Sequence, residues 1–286
     1  MRRWIRAFDR LRPGRVLAAL GLALVPAAWP ALAAETALPV DLELVLAVDI
    51  SYSMDAEEQE IQRDGYRAAI VSRPVLDAIA QGPYGRIAVA YVEWAGEDEQ
   101  RVVAPWTVID GPASAGAFAA RLAAAPLRRA YRTSISGALI YAAKMFEANG
   151  FAGERQVIDV SGDGPNNQGE TVERARDEVL ERGVVINGLP LMLKRPSFAM
   201  IDMGELDAYY RDCVIGGPGA FMVPVRTIDQ FPEAVRTKLL MEIAGLGPEA
   251  PGIPLDAAPA VPAAGFGRDE ADCTAGEQLW RERLSK

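Results

Sequence analysis

Residues 42 to 53 read LELVLAVDISYS, and this stretch decides the fold class. The run from Leu42 to Val48 is almost continuously apolar, which is typical of a strand buried on both faces of a parallel sheet. Asp55 and Glu58 then stand at the spacing of a capping box, and apolar residues recur along one face of the helix that should follow. The first unit of the fold is therefore a buried strand followed by an amphipathic helix.

The same alternation of apolar runs and helical stretches continues to about residue 245. We expect further strands at 86–94, 101–106, 155–160, 184–189 and 221–224. We expect further helices at 113–125, 136–149, 170–182, 206–213 and 228–243. The first two of these strands are too close for a crossover helix, so they should form an antiparallel hairpin. The pattern predicts a doubly wound α/β fold, with a mainly parallel sheet, one antiparallel edge strand and helices on both faces.

The first 33 residues have a different composition. Six arginines precede or begin an apolar run from Val16 to Ala28, and the small residues Ala31-Leu32-Ala33 follow it. This order predicts a cleavable signal peptide over 1–33, and hence a periplasmic or secreted protein. The alternative is an uncleaved anchor, but Pro26 leaves the apolar run shorter than the roughly 20 residues that span a bilayer. We expect no membrane span after cleavage.

Charge and residue content narrow the classes of function. The chain carries 30 lysines and arginines against 39 aspartates and glutamates, a net charge of −9, and it has no histidine. Since residues 1 to 33 hold six arginines and one aspartate, a net charge of +5, the remainder carries −14. Such a surface repels phosphate backbones, so we expect no nucleic-acid partner. The lack of histidine excludes His-dependent nucleophilic catalysis and histidine zinc sites.

The composition changes again after the main domain, which we place at 41–245. Residues 246–267 are dominated by Pro, Ala and Gly, which predicts a linker, and residues 268–286 form a short charged tail. Of the two cysteines, Cys213 lies in the domain and Cys273 in the tail. An oxidising compartment would allow a disulfide between them; the alternative is two separate thiols.

Oxygen-bearing side chains occupy three loops that should open on one edge of the sheet. In open α/β sheets, ligands bind at the carboxyl ends of the parallel strands. The candidate ligands there are Asp49, Ser51, Ser53, Thr133 and Asp163. Hard oxygen donors suit Mg²⁺, which also retains water readily. Two carboxylates and three neutral hydroxyls leave a coordination position suited to an acceptor oxygen from a partner.

Each of the three motifs also has an ordinary structural interpretation. The Asp-x-Ser-x-Ser sequence at 49–53 can be a polar turn with a helix cap, Thr133 can be a cap, and Asp163-Gly164 can be a turn. Their joint placement at one sheet edge favours a cation site over these interpretations.

Together the motifs resemble the metal-ion-dependent adhesion site of von Willebrand factor type A domains. The matching elements are Asp49-x-Ser51-x-Ser53, Thr133 at the head of a T-x-I-x-x-A-L run, and Asp163-Gly164. The resemblance covers about 200 residues, and the stretch CVIGGPGAF at 213–221 further resembles a secreted bacterial branch of uncharacterised function.

The resemblance implies a role for each residue. Ser51 and Ser53 would bind the metal directly, Asp49 and Asp163 largely through water, and Thr133 would switch between direct and water-mediated contact. One position departs from the family. The usual Thr-Asp-Gly triplet is Gly162-Asp163-Gly164 here, which keeps the carboxylate but should loosen the backbone.

We therefore expect an exported binding protein, not an enzyme, that uses Mg²⁺, Mn²⁺ or Ca²⁺ to bind an Asp or Glu of a partner protein. The alternatives are a metal-dependent hydrolase of the cell envelope and a structural domain without a functional metal. The hydrolase is disfavoured because the sequence has no phosphate-binding or dinucleotide glycine loop. In addition, Asp49-Ile50-Ser51 lacks the second carboxylate of an aspartate-nucleophile phosphatase.

Overall fold

The computed structural model describes residues 37–193, 206–245, 260–262 and 271–285. The predicted signal peptide at 1–33 lies outside the described residues. So do residues 268–270 of the predicted tail and all of the predicted linker except 260–262. In the described part of the chain, no helix is long and apolar enough to cross a membrane.

The strands alternate with helices along the chain. The strands are β1 (Leu38–Val40), β2 (Glu43–Asp49), β3 (Ile87–Trp94), β4 (Gln100–Ile109), β5 (Phe151–Gly153), β6 (Gln156–Gly162), β7 (Val185–Pro190), β8 (Phe221–Met222) and β9 (Val261–Pro262). Among the described residues, seven of them form one sheet in the order β4-β3-β2-β6-β7-β8-β9, and β1 pairs with β5. Neighbours from β3 to β8 are parallel, whereas β4 and β9 run antiparallel at the two edges.

Helices cover both faces of this sheet. They are α1 (Ala56–Ile70), α2 (Arg73–Ala80), α3 (Pro112–Ala124), α4 (Ile135–Lys144), α5 (Val172–Glu181), α6 (Leu206–Tyr209), α7 (Phe231–Ala244) and α8 (Ala275–Leu284). Helices α1, α2, α3 and α7 contribute to one hydrophobic core, and α4, α5 and α6 to the other. Successive side chains of β2 point to opposite faces, so Leu44 and Leu46 lie in the first core and Val45 and Ala47 in the second. The predicted doubly wound α/β fold is confirmed.

The structure contains elements that were not predicted from the sequence. Strands β1 and β5 and helix α2 lie in stretches for which no element was predicted, and α8 lies in the predicted tail. A second antiparallel edge strand, β9, lies within the predicted linker and covers the edge of β8. Two residues are too few to show the alternation that reveals a strand in sequence. In addition, the helix predicted at 206–213 continues from α6 into a π-helical turn, Tyr210–Val214.

Two caps fix the chain where the candidate site begins. The Asp55 carboxylate accepts a hydrogen bond from the Glu58 amide at 2.8 Å, and the Glu58 carboxylate accepts one from the Asp55 amide at 2.8 Å. This capping box starts α1, and its first residue, Asp55, lies two residues after Ser53. The Ser134 hydroxyl accepts a hydrogen bond from the Gly137 amide at 3.1 Å and caps α4 in the same way.

Candidate metal site

Two neighbouring parallel strands deliver the carboxylates to one edge of the sheet. Strand β2 ends at Asp49 and β6 ends at Gly162, immediately before Asp163. The two strands are in register up to the pair of Val48 with Ser161. Asp49 and Asp163 therefore leave the sheet side by side at the carboxyl ends of their strands, where ligand sites form in this class of fold.

A chain of hydrogen bonds links four of the five predicted site residues. The Ser51 amide donates to Asp49 Oδ1 at 2.6 Å. The Ser51 and Ser53 hydroxyls are 2.6 Å apart, and the Ser53 hydroxyl donates to Asp163 Oδ1 at 2.6 Å. Two carboxylates and two hydroxyls thus lie in contact, although 110 residues separate Ser53 from Asp163 in the sequence.

Thr133 is brought to the same edge by its backbone. The loop before it runs beside the first motif, because Ser51 pairs with Ala130 and the Tyr52 amide donates to the Ala130 carbonyl at 2.9 Å. Thr133 itself exchanges two hydrogen bonds with Asn167, from its amide to Asn167 Oδ1 at 3.1 Å and from the Asn167 amide to its carbonyl at 2.8 Å. The hydrogen-bonded chain that joins Asp49, Ser51, Ser53 and Asp163 does not include the Thr133 hydroxyl.

Asp49 is the most strongly perturbed of these groups. Its side chain is buried, and burial raises the pKa of its carboxyl well above the ordinary value. The charge of Asp163 raises this pKa further, whereas hydrogen bonds from Ser51 and from the backbone of Asp163 lower it. Asp49 Oδ2 has no hydrogen-bond partner among the described residues. A buried carboxylate oxygen next to a second carboxylate is stabilised by a cation.

The donor types decide which cation fits. Among the described residues, no group of three or more His, Cys, Asp or Glu side chains is placed to hold a metal. A cation here would take hydroxyl oxygens and water together with the carboxylates. Mg²⁺ is held in this way more readily than Zn²⁺, since it prefers oxygen ligands and keeps several waters. The residues present therefore fit a hard divalent cation.

Gln62 and Tyr210, which were not predicted from the sequence, lie on the buried side of the site. Gln62 on α1 donates to the Asp49 carbonyl at 3.1 Å and accepts a hydrogen bond from the Ser161 hydroxyl at 3.4 Å, so it connects the ends of β2 and β6. Burial, and then the charge of Asp49, raise the pKa of Tyr210 well above its ordinary value, so its phenol keeps its proton. The sequence gives one indication of the role of Gln62, because it is a polar residue on the buried face of an amphipathic helix.

The C-terminal helix α8 borders the site loops. A disulfide joins Cys213 to Cys273, just before α8. Asn166, three residues after Asp163, donates to the Glu277 carboxylate at 2.7 Å. The guanidinium of Arg132 lies 3.6 Å from the centre of the Trp280 ring. The tail thus contacts residues in two of the three loops that carry the predicted ligands.

Solved structures with a similar fold include proteins of the von Willebrand factor type A class. Proximal thread matrix protein 1 from the mussel byssus, in crystal form 2, has 12% identity and a TM-score of 0.52 over 72% of this chain and 48% of its own. The same protein with a zinc-occupied MIDAS motif has 15% identity and a TM-score of 0.50 over 71% and 46%. The pilus adhesin SpaC from Lactobacillus rhamnosus GG, in its open conformation, has 13% identity and a TM-score of 0.52 over 73% and 30%.

These similarities establish the fold alone, and this chain spans less than half the length of each of those proteins. A comparison with curated proteins found no match. A family model described as a protein of unknown function, DUF1194, matches residues 39–247. Because that match covers most of the chain, the protein belongs to the DUF1194 family, and its fold is that of a von Willebrand factor type A domain.

Proposed function

We propose that this protein binds a divalent cation through Asp49, Ser51, Ser53, Thr133 and Asp163 and uses it to bind an Asp or Glu carboxylate of a partner protein outside the cytoplasm. The function is binding and not catalysis. The observation that carries the proposal is the hydrogen-bonded chain from Asp49 to Asp163, together with the buried Asp49 Oδ2, which has no hydrogen-bond partner among the described residues.

The charge balance of the ligand set favours an anionic partner. In the proposed site Asp49 and Asp163 act largely through bound water, so the direct protein ligands are the uncharged hydroxyls of serine and threonine. A cation held largely by neutral oxygens remains a good acceptor for a further carboxylate. The whole chain carries a net charge of −9, which would repel an acidic partner. Such a partner therefore needs the cation in order to bind at this edge of the sheet.

The surface next to the site also suits a protein partner. Tyr52, between the two serines, is 46% exposed, and Tyr131, two residues before Thr133, is 74% exposed. Their rings stack with centres 4.3 Å apart. Exposed aromatic side chains are enriched among the residues that dominate protein binding energies. The similar structures with a zinc-occupied MIDAS motif and with an adhesin description support the same kind of function.

Thermal unfolding with and without cation tests the metal step. At a Mg²⁺ or Mn²⁺ concentration 100 times the Kd, binding stabilises the native state by about 2.7 kcal/mol. For a domain of this size we expect the Tm to rise by roughly 5 to 10 °C. Asp49→Ala and Ser53→Ala should each abolish the rise. Asp64→Ala, which changes a carboxylate that is 57% exposed on α1, should retain it.

The partner step needs a separate experiment. Purified protein is immobilised and exposed to cell-envelope extract in Mg²⁺ or in EDTA, with the Asp49→Ala variant in parallel. The proposal requires a partner that is captured by the wild type in Mg²⁺ alone, and whose capture is lost when its contacting Asp or Glu is changed to Asn or Gln. Capture that ignores both chelator and Asp49 would favour a structural domain, and turnover of a phosphoester would favour the hydrolase.

A further inference from the structure

Tyr210 lies against the buried side of the candidate metal site. A carbon atom at the Cβ position of Gly162 would be 2.9 Å from Asp49 Oδ2 and 3.0 Å from Tyr210 Oη, so both oxygens border the space that this glycine leaves. Both are buried, and neither has a hydrogen-bond partner among the described residues. A phenol donor and a carboxylate acceptor that are each costly to leave unsatisfied are complementary to one another.

Two glycines in neighbouring strands make room for this tyrosine. A carbon atom at the Cβ position of Gly188 on β7 would lie 2.8 Å from Tyr210 Cδ1, so a larger residue there would meet the ring. Gly162 at the end of β6 leaves the corresponding space for the hydroxyl. Glycine weakens a strand interior and often marks a place where another group must approach closely. Tyr210 approaches at both positions, together with Asp49 at Gly162 and Ile215 at Gly188.

The backbone that carries Tyr210 is also specialised. Tyr210 begins the π-helical turn, in which the Ile215 amide donates to the Tyr210 carbonyl at 3.0 Å. Arg176 donates to the Asp212 carbonyl at 2.9 Å, and Cys213 is held by its disulfide. Short π-helical turns are rare and occur frequently at functional sites. This turn is anchored from two sides and holds Tyr210 beside Asp49.

We propose that Tyr210 is a positioning residue of the metal site. When the cation binds, the Tyr210 hydroxyl would donate a hydrogen bond to the nearby Asp49 carboxylate and hold it in the orientation that the cation requires. The phenol oxygen borders the space that Gly162 leaves, so Gly162 and Tyr210 form a coupled pair. This inference rests on the proposed cation site and adds a residue that the adhesion-site motifs do not contain.

Tyr210→Phe gives the first test, with calorimetric titration of Mg²⁺ or Mn²⁺ as the readout. Loss of a residue that orients a metal ligand weakens metal binding by about 10- to 100-fold, and we expect a loss in this range. The Tm in EDTA should not fall, since the removed hydroxyl has no hydrogen-bond partner there and is costly to bury. Tyr66→Phe is the matched control, because Tyr66 is equally buried but lies in the other hydrophobic core. A purely structural role would lower the Tm in EDTA and leave the affinity unchanged.

Gly162→Thr gives the second test, in the wild type and in Tyr210→Phe. In the wild type the new side chain meets both Asp49 and Tyr210, so we expect weaker cation binding and a lower Tm. In Tyr210→Phe the contact with the phenol oxygen is gone while the contacts with Asp49 and Trp94 remain, so Gly162→Thr should weaken cation binding by a smaller factor than it does in the wild type. Equal losses in both backgrounds would show that the two positions are independent.

The outcomes separate this inference from the proposed function. If the wild type binds the cation, Asp49→Ala does not, and Tyr210→Phe binds within threefold of the wild type, Tyr210 has no positioning role and the site stands without it. If the wild type itself shows no cation binding, the proposed function fails and the role of Tyr210 fails with it.

Discussion

Two groups of buried carboxylates lie along strand β6 and its neighbours, and they differ in where their counter-charge comes from. In the middle of β6, Asp159 Oδ1 is 2.7 Å from Lys238 Nζ on α7, and the same ammonium group contacts Glu242. At the end of the sheet, the charge that acts on Asp49 is a second carboxylate, Asp163. The first group carries its own cation and stabilises the packing of α7. The second fits a cation taken from solvent.

The internal group is itself not fully balanced, since one lysine faces two carboxylates. Burial raises the pKa of Glu242 to about 7, against the opposing effect of Lys238. Burial likewise raises the pKa of Asp159, and Lys238 again opposes it. Asn187 donates to Glu242 at 3.2 Å and accepts from the Phe221 amide at 3.0 Å, so the group also fixes β8. Substitutions that remove one charge at a time can therefore test how each of the two groups of carboxylates is balanced.

Lys238→Met should have the largest effect. It leaves two carboxylates buried without their ammonium partner, and breaking a buried ion pair from one side costs about 3 to 5 kcal/mol. We expect the free energy of unfolding in urea to fall by this amount. Arg236→Met, which removes an ion pair with Glu233 that is about 40% exposed on the same helix, should cost less than about 1 kcal/mol. Similar losses in the two variants would contradict a stabilising role for the internal group.

The pH dependence of stability should be the next largest effect. Because the pKa of Glu242 is raised in the folded state from 4.5 to about 7, the native protein binds more protons than the unfolded chain in that interval. The free energy of unfolding in EDTA should therefore fall as the pH rises from about 4.5 through 7, by roughly 1 to 3 kcal/mol. Glu242→Gln should remove this part of the slope. Urea unfolding between pH 5 and 8 measures it, and an identical slope in the variant would exclude Glu242 as its source.

The sequence predicts one of these two carboxylate groups and not the other. Asp49, Ser51 and Ser53 are adjacent in the chain, and the strand before them identifies the sheet edge at which they lie. In the sequence, Asp159 is a single polar residue in an apolar strand, and Lys238 is an ordinary charged residue of an amphipathic helix. Nothing in the local pattern brings residues 79 positions apart into contact; the packing of α7 against the sheet does so.

The same limit applies to the parts of the site that depend on close approach. Gly162 suggested a loosened backbone. In the structure it pairs with Pro190 of β7, and its carbonyl accepts a hydrogen bond from the Leu191 amide at 2.9 Å, so it is held in the sheet. Its physical consequence is the space beside Asp49 and Tyr210. That space depends on how β6, β7 and the π-helical turn pack together. In the sequence, this space was indicated only by glycine at position 162, where the family usually has threonine.

Asp49→Asn should give the smallest change and the one of opposite sign. Without cation, the buried charge of Asp49 is a cost, as the raised pKa of its carboxyl indicates. The amide keeps an acceptor for the Ser51 amide and places a donor toward Tyr210, so we expect the free energy of unfolding in EDTA to rise by about 1 kcal/mol. In Mg²⁺ the wild type should instead have the higher free energy of unfolding, because only the wild type is stabilised by binding the cation. Asp77→Asn, 61% exposed on α2, should change neither value. If Asp49→Asn is less stable than the wild type in EDTA as well, Asp49 is balanced from within the protein, and the contrast between the two carboxylate groups does not hold.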